Sequence, residues 1–113
     1  MKRLICLGIA LILLAAALAI AALTGMALKE WADKGEQSSG YWHEGAFFGY
    51  VIGVTELEAT NHCIPESVTN GQIIAVVRKY FKDHPENLHL TAHDLVMKAI
   101  QTAWPCEKKE QKP

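Results

Sequence analysis

The chain has 113 residues, a length that suits a single domain. Half of the residues are apolar, but residues 4–28 contain no charged side chain and supply a large part of that fraction. Of the 11 basic and 12 acidic residues, only Lys2 and Arg3 precede Leu28, so the rest of the chain carries a small excess of negative charge. This balance excludes the basic surface that nucleic-acid binding requires.

The N-terminal segment has the layout of a secretory signal peptide. A short basic start precedes an apolar run over residues 4–14, and an alanine-rich stretch then ends in small residues. We expect cleavage after Ala21, which makes residues 1–21 the signal peptide, with a later site after Ala27 as the alternative. An uncleaved membrane anchor is the second interpretation, because about 20 apolar residues span a bilayer. Both interpretations place the rest of the chain in the periplasm, in contact with the membrane only through this segment.

The exported residues keep two cysteines, Cys63 and Cys106, because Cys6 lies inside the signal segment. Two cysteines in an oxidising compartment are expected to form a disulfide. Such a bridge is worth about 4 kcal/mol in the chain-entropy model, which is a large share of the stability of a small domain. The alternative makes Cys63 a nucleophile or a metal-binding thiolate beside His62, but a bridged sulfur can be neither.

Hydrophobic periodicity predicts helices joined by short turns, with no alternating strand pattern. The expected fold class is therefore all-α, a small disulfide-stapled helical bundle of about four helices over residues 22–106. Residues 107–113 are expected to form a charged tail. A first short helix is predicted over about residues 25–34, capped by Thr24. A long helix follows, from about Ser39 or Gly40 to Ala59.

Two further helices are marked by their first residues. Thr69 and Gln72 have the spacing of a capping box, and an apolar face follows until Pro85 ends the helix. Thr91 is expected to cap the last helix, with Asp94 three residues further on. The apolar positions predicted to be buried in this last helix are Leu95, Val96, Ala99, Ile100, Ala103 and Trp104.

Three glycines recur at every fourth residue of the long helix, at Gly45, Gly49 and Gly53. A glycine inside a helix costs roughly 1 kcal/mol relative to alanine, so a favourable contact should offset the three. Their spacing places them on one face, where another backbone can approach closely. Because the apolar segment is too short to span a bilayer, we expect close packing inside the bundle or across a homodimer.

The polar residues do not point to catalysis or to a metal. The histidines lack the spacing of known ligand sets, and the motifs of serine hydrolases, zinc proteases and phosphate-binding loops are absent from the sequence. We therefore expect no enzyme and no cofactor. His84 and His89 are expected to hold turns through hydrogen bonds. Tyr41 and Trp42, which lie among polar residues, are candidates for exposed contact with a partner.

Two segments of the chain resemble those of a known family. The first has a glycine-tyrosine-aliphatic-x-glycine pattern, in Gly49-Tyr50-Val51 with Gly53-Val54. The second has the following residues in order: Cys63-Ile64-Pro65, Val68-Thr69, Gly71-Gln72, Val76-Val77, Lys79-Tyr80, His84-Pro85-Glu86, Leu88-His89, Leu95-Val96, Ala99 and Ala103-Trp104-Pro105-Cys106. Both segments are similar to the Rap/Tai family of type VI secretion amidase immunity proteins.

The resemblance implies a small periplasmic helical protein, often a homodimer, that binds and occludes a peptidoglycan-cleaving amidase effector delivered by neighbouring cells. Members of the family often carry a second cysteine pair, and the matching positions are Ala32 and Phe47 here, so that whole bridge is absent. Exposed loops at residues 36–41 and 62–67 are expected to enter the amidase groove. The candidate partner-binding residues are Tyr41, Trp42, Glu44, His62 and Glu66.

A family member without a cognate amidase would belong to a different functional class, a periplasmic acid-stress chaperone or another small binding protein. A chaperone of this kind would expose apolar surface in acid, with histidines and carboxylates as the trigger. A tight complex with an amidase encoded beside this chain favours inhibition. Suppression of protein aggregation at low pH favours the chaperone.

Overall fold

The computed structural model describes residues 1–18 and 22–107, and the side chains within these ranges other than those of residues 13–18. Ala19 and Ala21, which belong to the predicted cleavage site, and residues 108–113 of the predicted tail lie outside the described residues. The described part forms five α-helices and one turn of 3-10 helix at Pro85–Asn87. The helices are α1 Lys2–Leu18, α2 Gly25–Gly35, α3 Tyr41–Leu57, α4 Asn70–Asp83 and α5 Ala92–Ala103.

The apolar N-terminal segment forms α1, whose side chains are exposed over residues 2–12. Among the described residues, no helix is both long enough and apolar enough to span a bilayer. The buried hydrophobic core lies between Leu28 and Ile100, so it is built by α2, α3, α4 and α5 together with the segment before α5. This arrangement confirms the predicted all-α bundle of about four helices.

Threonine side chains begin three of the four bundle helices, as predicted. Each hydroxyl oxygen accepts a hydrogen bond from the backbone N–H three residues further on, at 3.2 Å in every case: Thr24 from Ala27, Thr69 from Gln72 and Thr91 from Asp94. At α4 the cap is reciprocal, because the side chain of Gln72 accepts from the Thr69 N–H at 2.8 Å. Each cap satisfies an N–H that has no partner inside the helix and is worth about 1 kcal/mol.

The residues before α2 are tied to the segment before α5. The carbonyl of Leu23 accepts from the Ala92 N–H at 2.7 Å, and the Gly25 N–H donates to the Leu90 carbonyl at 2.8 Å. Gly25 is buried, and an added Cβ there would overlap its neighbours. Buried backbone groups need such hydrogen bonds. The bundle therefore includes the chain from Leu23 onward.

All four bundle helices contribute to one core. Phe47 of α3 and Phe81 of α4 are its largest fully buried side chains, and their rings meet edge to face with centroids 6.3 Å apart. Leu28 of α2 and Leu95 of α5 are buried to the same degree. Truncation of buried side chains of this size to alanine costs about 2–5 kcal/mol each, so this cluster holds the helices together.

Some predicted details of α3 and α5 are wrong. The long helix spans Tyr41–Leu57 with Gly40 as its N-cap, so its start agrees with the prediction and its end lies two residues before the predicted Ala59. In α5, Ala103 is exposed because it lines an open groove between α4 and α5. Trp104 is only partly buried, and its backbone is no longer helical because it precedes Pro105.

Candidate protein-binding surface

Helix α3 is apolar on both sides, and only one side faces the core. Phe47, Val51 and Val54 are buried. On the other side the exposed fractions of Tyr41 and Trp42 reach 86% and 68%. We define the outer face of α3 as the exposed side that carries Tyr41, Trp42, Gly45, Phe48, Gly49 and Gly53. Exposed aromatic side chains grouped on one side of a helix are typical of sites that contact another molecule.

The three glycines lie uncovered on this outer face. A Cβ added at Gly45, Gly49 or Gly53 would meet no atom within 4 Å beyond its own stretch of helix. The prediction that they pack inside the bundle is therefore wrong, because the opposite side of α3, with Phe47 and Val51, builds the core. The alternative, a homodimer that forms through these glycines, stays a prediction.

Trp42 lies on the first turn of α3, beside α2. Its ring meets Trp31 edge to face with centroids 5.9 Å apart, and it meets His43 in the same way at 5.2 Å. Trp31 in turn packs against the core. Trp42 is thus held in place while most of its surface remains in solvent, a combination that favours protein interfaces. The exposure of Tyr41 and Trp42 agrees with the prediction, and their contact with a partner stays a prediction.

The elbow, residues 36–40, joins α2 to α3 in a tight turn. Gly40 is buried, and a side chain there would overlap the carbonyl of Lys34. At Gly35, an added Cβ would lie 2.9 Å from the Glu44 Cα. The end of α2 therefore packs directly against the backbone at the start of α3, and glycine is needed at both positions for this close approach.

Arg78 of α4 reaches the elbow from the neighbouring helix, with only 13% of its side chain exposed. Its guanidinium donates to the Ala32 carbonyl at 2.9 Å and to the Glu44 carboxylate, and lies 3.5 Å from a Glu36 oxygen. It also lies 4.8 Å from the centre of the Phe47 ring, in cation–π geometry. Arg78 thus contacts both Ala32 and Phe47, the two positions at which members of the resembled family often carry a second cysteine pair. Glu44, a predicted partner-binding residue, is engaged in this internal ion pair.

The long loop, residues 58–69, joins α3 to α4 and is attached to α5. Glu58 lies 3.0 Å from Nε2 of His93 and accepts a hydrogen bond from the Asn61 side chain. The side chain of Gln101 donates to the Asn61 carbonyl at 3.1 Å. The bond from Asn61, followed by the one from His93, holds the pKa of Glu58 below its usual value. Two residues of α5 therefore hold the beginning of the long loop.

The His62 ring contacts the last turn of α3 on one side and its own loop on the other. Its Nε2 lies 2.9 Å from the Thr55 carbonyl, and its Nδ1 lies 3.4 Å from the Ile64 backbone nitrogen. A carbonyl only accepts and a backbone N–H only donates, so these contacts assign the proton to Nε2. His62, a predicted partner-binding residue, therefore already has a partner for each ring nitrogen. Glu66, the other predicted residue in this loop, is exposed.

The Cys63–Cys106 disulfide ties the long loop to the segment after α5. The two Cα atoms lie 5.1 Å apart, within the usual range for a bridged pair. This confirms the predicted disulfide. Both residues are exposed, and Cys6 is the free cysteine of the described residues.

The elbow and the long loop lie at opposite ends of α3. Seventeen residues of helix separate them, which corresponds to about 25 Å. The predicted partner-binding residues therefore fall into two groups, Tyr41, Trp42 and Glu44 at one end and His62 and Glu66 at the other. The outer face of α3 runs between the two groups.

Two histidines of the described residues hold a turn of the structure, and none of the described residues forms a metal-binding group. No group of three or more His, Cys, Asp or Glu side chains in this part of the chain is placed to hold a metal ion. His84 Nδ1 lies 2.9 Å from the Glu86 carboxylate, and His89 Nδ1 lies 3.1 Å from the Glu86 carbonyl. Both histidines hold this turn, as predicted.

The sequence did not reveal Arg78, His93 and Gln101 as residues that hold the elbow and the long loop. Their partners lie 46, 35 and 40 positions away in the chain, so no local spacing marks the pairs. One signal was present at Arg78, which lies on the buried side of α4 four residues after Ile74 and three before Phe81. A charged side chain on such a face needs partners.

Comparison with protein-family models matches residues 24–106 to the model described as Rap1a immunity proteins. The match begins at Thr24, which caps α2, and ends at Cys106 of the disulfide, so it spans all four helices of the bundle. Among curated proteins, the chain has no significant match.

Proposed function

Because the chain belongs to the Rap1a immunity protein family, we propose that it protects its cell by binding an amidase that cleaves peptidoglycan and is delivered by type VI secretion. The observation that carries this proposal is the family match, which covers the whole bundle. An immunity protein acts by binding, so the proposed mechanism is occlusion of the amidase groove and includes no catalytic step.

The two ends of α3 supply the contacts in this proposal. Tyr41 and Trp42 provide large, rigid aromatic surfaces, and residues of this type carry much of the binding energy in protein interfaces. The long loop is fastened by the disulfide and by Gln101, so little conformational entropy is lost when it binds. The excess of acidic residues after Leu28 would speed association with a basic amidase more than it would tighten the complex.

Export to the periplasm, with removal of residues 1–21, is part of the proposal. Support for the earlier cleavage site comes from the contacts of Leu23 and Thr24 with the bundle. A cut after Ala27 would remove the cap of α2 together with the hydrogen bonds that tie this segment to residues 88–92. A mature chain that begins at Ala22 keeps all of these contacts.

We also propose that two copies associate through the outer face of α3. Without side chains at Gly45, Gly49 and Gly53, two helices can approach closely, and the exposed part of the Phe48 ring, which lies among the glycines, would become buried. Analytical ultracentrifugation over a range of concentrations should show a dimer for the wild type and a monomer for Gly49→Arg. Ala75→Arg, at an exposed position of α4, is the matched control and should remain dimeric.

The function is tested with the amidases that are encoded by genes next to the gene for this chain. Each amidase is expressed in the periplasm with and without the protein, and complexes are measured by isothermal titration calorimetry. We expect protection from one amidase, and at least about tenfold weaker binding for Trp42→Ala. Met26→Ala, at an exposed position of α2, should bind like the wild type. Failure to protect against, or to bind, any of these amidases would contradict the proposal.

A further inference from the structure

We infer that Arg78 is a positioning residue, which clamps the end of α2 to the first two turns of α3 and thereby fixes the elbow and the aromatic pair Tyr41 and Trp42. The part of this inference that concerns binding rests on the proposed function. The clamp itself is a property of the isolated chain and is tested without a partner.

The first contact of the clamp is with α2. Ala32 lies in the last turn of this helix, where carbonyl groups run out of N–H partners within the helix. The N–H of Glu36, which would continue the helical pattern to Ala32, donates to the Lys34 carbonyl instead. Arg78 supplies a donor to the Ala32 carbonyl at 2.9 Å. The guanidinium therefore completes the C-terminal end of α2.

The second contact is with α3. The same guanidinium donates to the carboxylate of Glu44, which lies in the first turn of α3. One turn further on, the ring of Phe47 packs against the face of the guanidinium. Only 13% of the Arg78 side chain is exposed, whereas 42% of Glu44 is exposed, so solvent screens this pair partly and less than it screens a pair with both ends on the surface. The planar, forked guanidinium can make all of these contacts at once, which an ammonium group cannot.

The third contact is with the elbow itself. Glu36, its first residue, lies 3.5 Å from Arg78 and 3.6 Å from Lys82, so two basic residues of α4 face it. Tyr41 and Trp42 directly follow the elbow in the same turn of α3 as Glu44. A movement of that turn relative to α2 would move both aromatic side chains. Arg78 thus acts on the proposed binding surface through Glu36 and Glu44 without lying in that surface.

The clamp is tested by backbone hydrogen exchange in the full mature protein under native conditions. In Arg78→Met, the amides of Gly40 and Glu44 should exchange about 10- to 100-fold faster, the range expected when charged hydrogen bonds are lost. Amides of α5 such as Ile100 should change far less, because the opening is local. Lys79→Met is the matched control, because Lys79 is the residue after Arg78 and forms only an exposed ion pair with Asp83. This variant should leave the exchange rates in the elbow unchanged.

Two conservative variants keep the inference testable if Arg78→Met does not fold. Arg78→Lys should give an intermediate rate at Gly40, because it keeps the charge and loses the fork. Glu44→Gln should loosen the same amides without any change at Arg78. An unchanged exchange rate at Gly40 and Glu44 in these variants would overturn the inference. An equal acceleration in the elbow and in α5 would also overturn it, because that result indicates a general loss of stability.

A binding measurement separates this inference from the proposed function. With an amidase that the wild type binds, Arg78→Met should weaken binding about tenfold or more, and Lys79→Met should not. If no amidase binds the wild type, the proposed function fails while the exchange result still decides the clamp. If the elbow is loosened and binding is unchanged, Arg78 has no role in positioning the binding surface.

Discussion

The carboxylate of Glu58 lies 3.0 Å from Nε2 of His93 and joins the end of α3 to the first turn of α5. The same carboxylate accepts a hydrogen bond from Asn61 of the long loop. These contacts, with the Asn61 bond as the larger cause, lower the pKa of Glu58. The contact of the long loop with His93 therefore depends on the charged form of Glu58, whereas the bond from Gln101 to the Asn61 carbonyl does not.

The variant Glu58→Gln is expected to be less stable than the wild type at neutral pH, and the difference should shrink in acid. A carboxylate whose pKa is lowered by folding adds stability above its usual pKa of 4.5 and loses that contribution as the pH falls through the lower, folded value. Urea unfolding from about pH 7 down to about pH 3 measures the effect. Glu66→Gln, at an exposed position in the same loop, is the control. A difference in stability between the wild type and Glu58→Gln that does not change with pH would contradict the prediction.

Loss of the disulfide should lower the free energy of unfolding by about 4 kcal/mol in the chain-entropy model. Cys63 and Cys106 are separated by 43 positions, so the bridge restricts a long stretch of the unfolded chain. Guanidinium unfolding with and without reductant measures this contribution. The double variant Cys63→Ser, Cys106→Ser should match the reduced wild type and should not respond to reductant. Equal stability of the oxidised and reduced wild type would refute the prediction.

Substitution of two glycines by alanine should change stability in opposite directions. Gly25→Ala would force a methyl group against Leu95 and the Leu88 carbonyl, and such overpacking costs about 1–3 kcal/mol. Gly53→Ala adds a methyl group in open space inside a helix, which should raise stability by up to about 1 kcal/mol. Thermal unfolding at a concentration where the protein is monomeric measures both. A shift in the same direction for both variants would not fit this structure.

A chain that begins at Leu28 should be about 3 kcal/mol less stable than one that begins at Ala22, because it lacks the Thr24 cap and the backbone hydrogen bonds to residues 88–92. A chain that begins at Leu23 is the matched control and should retain nearly all of the stability. Circular dichroism melting of the three purified chains gives the comparison. If the chain from Leu28 is as stable as the others, cleavage after Ala27 becomes the better hypothesis.

Much of the fold can be predicted from the sequence because its main signals are local. The caps at Thr24, Thr69 and Thr91 depend on residues only three positions apart, and the apolar faces of α4 and α5 follow helical periodicity. The disulfide was predictable because only two cysteines, Cys63 and Cys106, follow the apolar N-terminal segment.

The orientation of α3 and the internal attachments of its two ends could not be predicted in this way. The apolar residues of α3 are distributed on all of its sides. Periodicity therefore does not distinguish the core side, with Phe47 and Val51, from the outer face with its glycines. Arg78 and Gln101 bind backbone carbonyls of distant segments. A carbonyl is present at every residue, so the sequence gives no sign of which one will be the acceptor.

The hydrogen bond between Leu23 and Ala92 has a consequence for the order in which the parts of the bundle fold. Its carbonyl belongs to one of the first residues of the bundle, and its N–H donor belongs to α5, the last of the four bundle helices in chain order. Contacts between such distant segments form late. The bundle therefore cannot close before α5 has joined it, and the earlier helices remain without their final partner until then.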